Sequence, residues 1–360
     1  MTPASSTRIP WWAWAWPLLA VSILAVHFFL KPGTFFAAAE AFALIATVFA
    51  AVHHAEVVAH RVGEPFGTLV LALAVTIIEV ALIVSMMLAA GETAGLARDT
   101  VFAAVMIVCN GIVGLCLLAG GVRHHEQGFQ LQGANAALSV LIALTTLTLI
   151  FPNVTTTTAG PTFSPSQLGF AAVVSLILYG SFLFVQTVRH RDYFLPAAGG
   201  EESHAAPPPN RIALASAGLL LASLLTVVAL AKALTPPLEH AIESVGAPKS
   251  VVGIVIAGLV LLPEGLASFR AANANRLQTS MNLALGSVLA SIGLTIPAVA
   301  LVSLLFHKPL TLGLGTKEEV LLAVTLFVSV LTLGTGRTTV LQGIIHLVLF
   351  AAFLFLAIVP

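Results

Sequence analysis

Eleven runs of mostly apolar residues follow one another along the chain, each close to or above the roughly 20 residues that a helix needs to cross a bilayer. In hydrocarbon every backbone N–H and C=O must be satisfied by the segment itself or by a closed sheet, so such runs can become only helices or a closed barrel. Barrel strands alternate polar and apolar residues, and these runs do not. They predict helices near 11-30, 35-59, 66-90, 101-120, 133-151, 168-188, 212-234, 251-269, 281-305, 318-334 and 340-358. Composition agrees. Hydrophobic residues make up 58% and charged residues 8%, and 15 Lys+Arg with 15 Asp+Glu cannot cover a water-soluble surface on 360 residues. The lipid bilayer is therefore the main solvent and the first partner. A net charge of zero gives no electrostatic reason for nucleic acid as a partner, and nothing in the pattern fixes an oligomeric state. Cys109 and Cys116 share one apolar run and read as packing residues, not as a disulfide.

The spans are punctuated by Lys31-Pro32-Gly33, by the Thr- and Pro-rich stretch from Pro152 to Pro165, by Pro236-Pro237 and by His307-Lys308-Pro309. The longest polar connection, with Glu201, Glu202, His204 and Pro207-Pro208-Pro209, reads as a solvated linker at 191-210. The first span carries Trp11, Trp12, Trp14 and Trp16, an interfacial aromatic anchor that marks an uncleaved helix and not a signal peptide. With the N-terminus cytoplasmic, one side of the membrane collects Arg8, Arg61, Arg123, Arg189, Arg191, Arg211, Arg270, Arg276 and Arg337. The other collects Lys31, Arg98, Lys249, Lys308 and Lys317. That imbalance places the N-terminus and the linker in the cytoplasm and the C-terminus outside.

Setting aside an N-terminal helix over 1-33 leaves ten spans, divided by the linker into 34-190 and 211-360, five in each. An odd number per half inserts the second half upside down, the inverted-repeat plan of many secondary transporters. Each half places one glutamate near the middle of its second span: Glu79 in Leu73-Ala74-Val75-Thr76-Ile77-Ile78-Glu79, and Glu264 in Gly258-Leu259-Val260-Leu261-Leu262-Pro263-Glu264. The next span in each half carries a small-polar segment, Cys109-Asn110-Gly111-Ile112-Val113-Gly114 and Gly286-Ser287-Val288-Leu289-Ala290-Ser291. An ionised carboxylate in lipid is costly, so such a group takes up a proton or finds a cation. A site that does both in turn exchanges protons for cations, and Ca2+ suits two carboxylates. Pro263 removes one helix hydrogen bond and frees a carbonyl beside Glu264, while Thr76, Asn110, Ser287 and Ser291 add oxygens toward the six to eight that Ca2+ prefers.

At the end of the second span, His53, Glu56 and His60 fall on one helix face. Histidine titrates near neutral pH, so this face reads as a proton or cation pathway. The competing reading is a metal-dependent hydrolase in the membrane, although the segment does not match the His-Glu-x-x-His pattern. Lys232 and Glu40 are expected to reach the interface with their polar ends.

The stretches from His53 through Glu79 and from Gly253 through Pro297 resemble the ChaA-type calcium/proton antiporters of the cation/calcium exchanger superfamily. The likeness covers essentially the whole chain, and its most specific residues are Leu262-Pro263-Glu264, Gly286-Ser287 and Ser291. It implies an all-α polytopic fold of about eleven transmembrane helices, one N-terminal helix plus two inverted five-helix repeats, in a bacterial-type inner membrane. It also implies alternating access at a midplane site where Glu79 and Glu264 hold the transported Ca2+ or protons, with no cofactor and no catalysis. The sequence departs from the family pattern where Asn110 stands in place of a serine and Gly114 offers no side-chain oxygen. Those departures leave room for Na+ or K+ at the same site.

Overall fold

The structure, a computed structural model, describes residues 9–30, 36–63, 66–88, 94–195, 208–244, 246, 248 and 250–359. Long helices occupy every run that the sequence marks: α1 (Trp11–Leu30), α2 (Phe36–Val62), α3 (Phe66–Leu88), α4 (Leu96–His124), α5 (Leu131–Val154), α6 (Pro165–Arg189), α7 (Asn210–Ser244), α8 (Ser250–Asn273), α9 (Leu277–Phe306), α10 (Thr316–Leu333) and α11 (Val340–Ile358). Among the described residues, nine of these are long and apolar enough to span a bilayer. In α3 the apolar stretch is Ala74–Met87, and α10 opens on Lys317, Glu318 and Glu319. The chain is an all-α polytopic membrane protein. Glu201, Glu202 and His204 of the linker, and Lys31-Pro32-Gly33, lie outside the described residues.

One boundary differs from expectation. The helix predicted to stop before Pro236-Pro237 continues to Ser244. Proline holds φ at a helical value, so it can sit inside a helix if its missing N–H bonds are tolerated, as they are where water or side chains take over. The carbonyls that lose their intrahelical partner here are those of Lys232 and Ala233.

The helices group into two compact units, neither of which is a sequence half. The first comprises 1–89 with 201–245, and the second 90–200 with 246–360. In the first unit α2 packs against α1, α3 and α7. Its buried face is built from small residues, Ala43, Ala46, Ala50, Ala51 and Ala55, which let membrane helices approach closely. Antiparallel to it, α1 buries Ala13, Pro17 and Ala20. Pro17 cannot donate to the carbonyl of Ala13, and His54 Nε2 donates to that carbonyl instead, at 2.9 Å. The Trp12 ring lies tilted against His53, with centroids 5.0 Å apart, and Trp16 meets Phe42 edge-on. A double-mutant cycle checks this docking. His54→Leu is expected to cost about 1 kcal/mol in thermal or denaturant unfolding, and clearly less when Pro17→Ala restores an N–H to Ala13.

The second unit is braced at both ends. At one end, β1 (Gln127–Gly128) pairs antiparallel with β2 (Arg337–Thr338). There Gln127 Nε2 donates to the carbonyl of Ala272 and to Asn275, and Asn282 Nδ2 to the carbonyl of Phe194. At the opposite end the irregular segment before α10 is laced in place: Thr311 N to Ala94 O, Gly313 N to Pro161 O, Leu314 N to Leu149 O, and Arg98 Nη1 to Gly313 O. The first end carries Arg123, Arg189, Arg191, Arg270, Arg276 and Arg337; the second carries Arg98, Lys308 and Lys317.

Candidate functional site

The second unit gathers the polar residues of α4, α8 and α9. Glu264 stands in mid-α8, half-buried, and Ser287 of α9 donates its hydroxyl to Glu264 Oε2. Pro263 lies within the helix without ending it, so the carbonyl of Leu259 has no intrahelical N–H. One turn beyond Ser287 on the same face of α9 come Ser291 and then Thr295, both buried. Sequence reading singled out Ser287 and Ser291 but not Thr295, although the spacing of four would have found it. The Thr295 hydroxyl and that of Ser268, one turn after Glu264, have no hydrogen-bond partner among the described residues. Tyr179 of α6 packs tightly on Gly293, two residues beyond Ser291; no motif pointed to it.

Asn110 sits in a π-helical turn, Ile107–Ile112, inside α4. Such turns insert about one extra residue and recur at functional sites. Two residues on, the Ile112 side chain packs over Gly265, next to Glu264. The fully buried Asn110 amide donates from Nδ2 to Thr325 Oγ1 at 2.8 Å, and its Oδ1 meets His346 Nδ1 at 3.1 Å. Because an amide oxygen only accepts, His346 carries its proton on Nδ1, and its Nε2 meets Thr332 Oγ1 at 3.1 Å. His346 thus fixes the orientation of Asn110, a role the sequence did not reveal. Gly114 explains its own missing side chain. A Cβ there would come within 3.0–3.1 Å of Leu347 and His346, so glycine is what brings α11 close enough for His346 to reach Asn110.

The first unit holds the other candidates. Thr76 and Glu79 are both buried, one turn apart on α3, and both make interactions. Of the histidine face on α2, His53 is half-buried against Trp12, while Glu56 and His60 are exposed. The buried member is its neighbour His54. Among the described residues no group of three or more His, Cys, Asp or Glu could hold a metal ion. Glu40, expected to reach the interface, is instead 2% exposed and meets His27 Nδ1 at 2.5 Å. Its short side chain, set in the second turn of α2 where the helix packs on α1, ends on that partner and not at the interface.

A carboxylate within the apolar helix α8 is thus met by a hydroxyl stripe on α9. The sequence matches the family described as sodium/calcium exchanger protein over residues 33–188 and 215–359, and the chain belongs to that family. It is 51% identical over 363 residues to a Sinorhizobium fredii protein named as ionic transporter y4hA, covering 99% of this chain and 98% of that one. It is 37% identical over 315 residues to the sodium-potassium/proton antiporter ChaA of Escherichia coli, covering 86% and 85%. In fold it is similar to native YfkE (TM-score 0.73, 16% identity, 97% of this chain and 100% of that one) and to the H+/Ca2+ exchanger CAX (TM-score 0.72, 16% identity, 95% and 87%).

Proposed function

We propose that the protein is a proton-coupled antiporter that exchanges cytoplasmic Ca2+ for external H+ by alternating access, with Glu79 and Glu264 as the carboxylates that are protonated in one state and bind the cation in the other. The observation that carries this reading is the Ser287–Glu264 contact: a titratable acid in mid-membrane with a hydroxyl ligand already aimed at it. Membership in the sodium/calcium exchanger family supports it, as do relatives named as Ca2+/H+ antiporters, among them that of Aphanothece halophytica at 24% identity. Thr76, Asn110, Ser291 and the carbonyl freed by Pro263 complete the ligand set. His53, Glu56 and His60 form the route by which protons or cations approach. The protein acts as a transporter and not as an enzyme, and it needs no cofactor beyond the ions it moves.

The halves 34-190 and 211-360 are read as inverted five-helix repeats. The arginine-rich end of the second unit supports a cytoplasmic placement for that end, with the N-terminus inside and the C-terminus outside a bacterial inner membrane. A second reading keeps the same carboxylates and exchanges Na+ or K+; the name of the Escherichia coli relative favours it. The two separate in everted vesicles or proteoliposomes holding an acid-inside pH gradient, to which Ca2+, Na+ and K+ are added singly. The expected result is collapse of the gradient by Ca2+. A response to Na+ or K+ alone would replace the first reading with the second, and silence toward all three would overturn both.

A further inference from the structure

We propose that His27 and Glu40 form a proton-binding site of their own, apart from Glu79 and Glu264, loaded from a cavity between α1, α2 and α7. The cavity, about 610 Å3 in volume, is lined by His27 and Phe28 of α1, Phe36 and Glu40 of α2, and Lys232 and His240 of α7, among others. All of these belong to the first unit.

Four observations carry the assignment. The Glu40 carboxylate lies in the second turn of an apolar helix and is almost wholly withdrawn from water, a position at which a bare charge is costly. It approaches His27 Nδ1 to 2.5 Å, a separation at which a proton must lie between nitrogen and oxygen, since two lone pairs would repel. The His27 side chain is still one-third exposed, so its second ring nitrogen can exchange a proton with water in the cavity. Finally, the carbonyls of Lys232 and Ala233, freed by Pro236 and Pro237, belong to residues in the cavity wall, where they can hold such water.

Charge decides which ligand the pair takes. The cavity's titratable groups are one carboxylate, Glu40, against one ammonium, Lys232, and two imidazoles, His27 and His240. In sequence α7 also carries Glu239, beside His240. The third neighbour, α3, has Glu79 as its one carboxylate, and it does not line the cavity. With both imidazoles neutral, Lys232 balances Glu40. A divalent cation would face the ammonium with a single carboxylate to hold it, whereas a proton needs only the imidazole. The pair therefore cycles between imidazole–carboxylate and imidazolium–carboxylate, gaining one proton and no other ligand. The imidazole comes from α1, which precedes the residues matched to the family, so the N-terminal helix completes a site that the remaining helices would lack.

The test uses the full chain reconstituted in lipid vesicles. Acid-induced infrared difference spectra, recorded without Ca2+, should contain imidazole and carboxylate bands that vanish in both His27→Gln and Glu40→Gln and persist in His240→Gln. Bands retained in both of the first two variants would overturn the site. This readout needs no transport, so it stands or falls independently of the proposed function. A second readout rests on that function, namely the pH profile of Ca2+-driven proton release. Both variants should shift its midpoint by about half a pH unit or more, near threefold in proton concentration, with half-saturating Ca2+ unchanged within about twofold. An unshifted profile in both, or loss of the Ca2+ response at every pH, would overturn a separate proton site that acts on exchange. If Glu40→Gln does not fold, His27→Gln decides alone, because His27 is the more exposed partner.

Discussion

Glu264→Gln is expected to abolish cation-driven proton release while leaving a folded, reconstitutable protein. Glutamine keeps the shape of the side chain and can still accept from Ser287, so the α8–α9 contact survives. What it cannot do is carry a negative charge or release a proton, and exchange requires both. On the proposed mechanism, losing one of the two charged ligands removes about 3 kcal/mol or more of cation binding, a fall of over about 100-fold in affinity. Glu79→Gln should behave alike. Ser287→Ala, which removes only a neutral donor, should weaken binding by about tenfold. The check is recovery of an entrapped pH probe in vesicles against cation concentration. Full exchange in either glutamine variant would exclude the two-carboxylate mechanism, and equal losses in all three would show that packing, not charge, was disturbed.

The largest effect on folding is expected at Gly343. A Cβ there would lie 2.5 Å from the backbone nitrogen of Leu118, 2.8 Å from its Cα and 3.0 Å from the carbonyl oxygen of Gly114. All three are main-chain atoms and cannot rotate aside, so α11 would have to move off α4. Gly343→Ala should therefore cost about 2 kcal/mol or more and, by lengthening the path from His346 to Asn110, lower activity beyond what lost stability explains. Thermal unfolding in detergent measures the first effect. Transport per folded molecule measures the second, and an unchanged melting temperature would refute the close crossing.

The helices and the Glu264–Ser287 pairing were legible in the sequence because lipid imposes a simple rule. Apolar runs of sufficient length must be helical, and an acid inside one must find a partner, which the neighbouring helix supplies 23 residues on. Other features escaped because tertiary packing decides them. His53 and His54 look equivalent in the chain, but only His54 faces the carbonyl that Pro17 leaves free. Glu40 resembled an interfacial acid because its partner lies 13 residues back, across a helix connection. The glycines of α4 and α11 carried no chemistry to notice, and Asn110 could be nominated as a ligand but not seen to depend on His346. Pro236-Pro237 was read as a stop by a rule learned in water, where an exposed proline pair has no neighbours to sustain the helix.

The π-helical turn of α4 makes the length of that helix a variable in its own right. In an ordinary α-helix each residue turns the chain by about 100° and advances it about 1.5 Å. The wider turn at Ile107–Ile112 takes up one residue without passing on that rotation, so the C-terminal half, with Gly114 and Gly121, stays in phase with α11. Insertions and deletions of single residues, harmless in a loop, are here equivalent to turning half a helix by more than a quarter of a circle. Chains descended from a common ancestor can change the side chains of α4 one at a time, but their alignments should tolerate no gap between Met106 and Gly121.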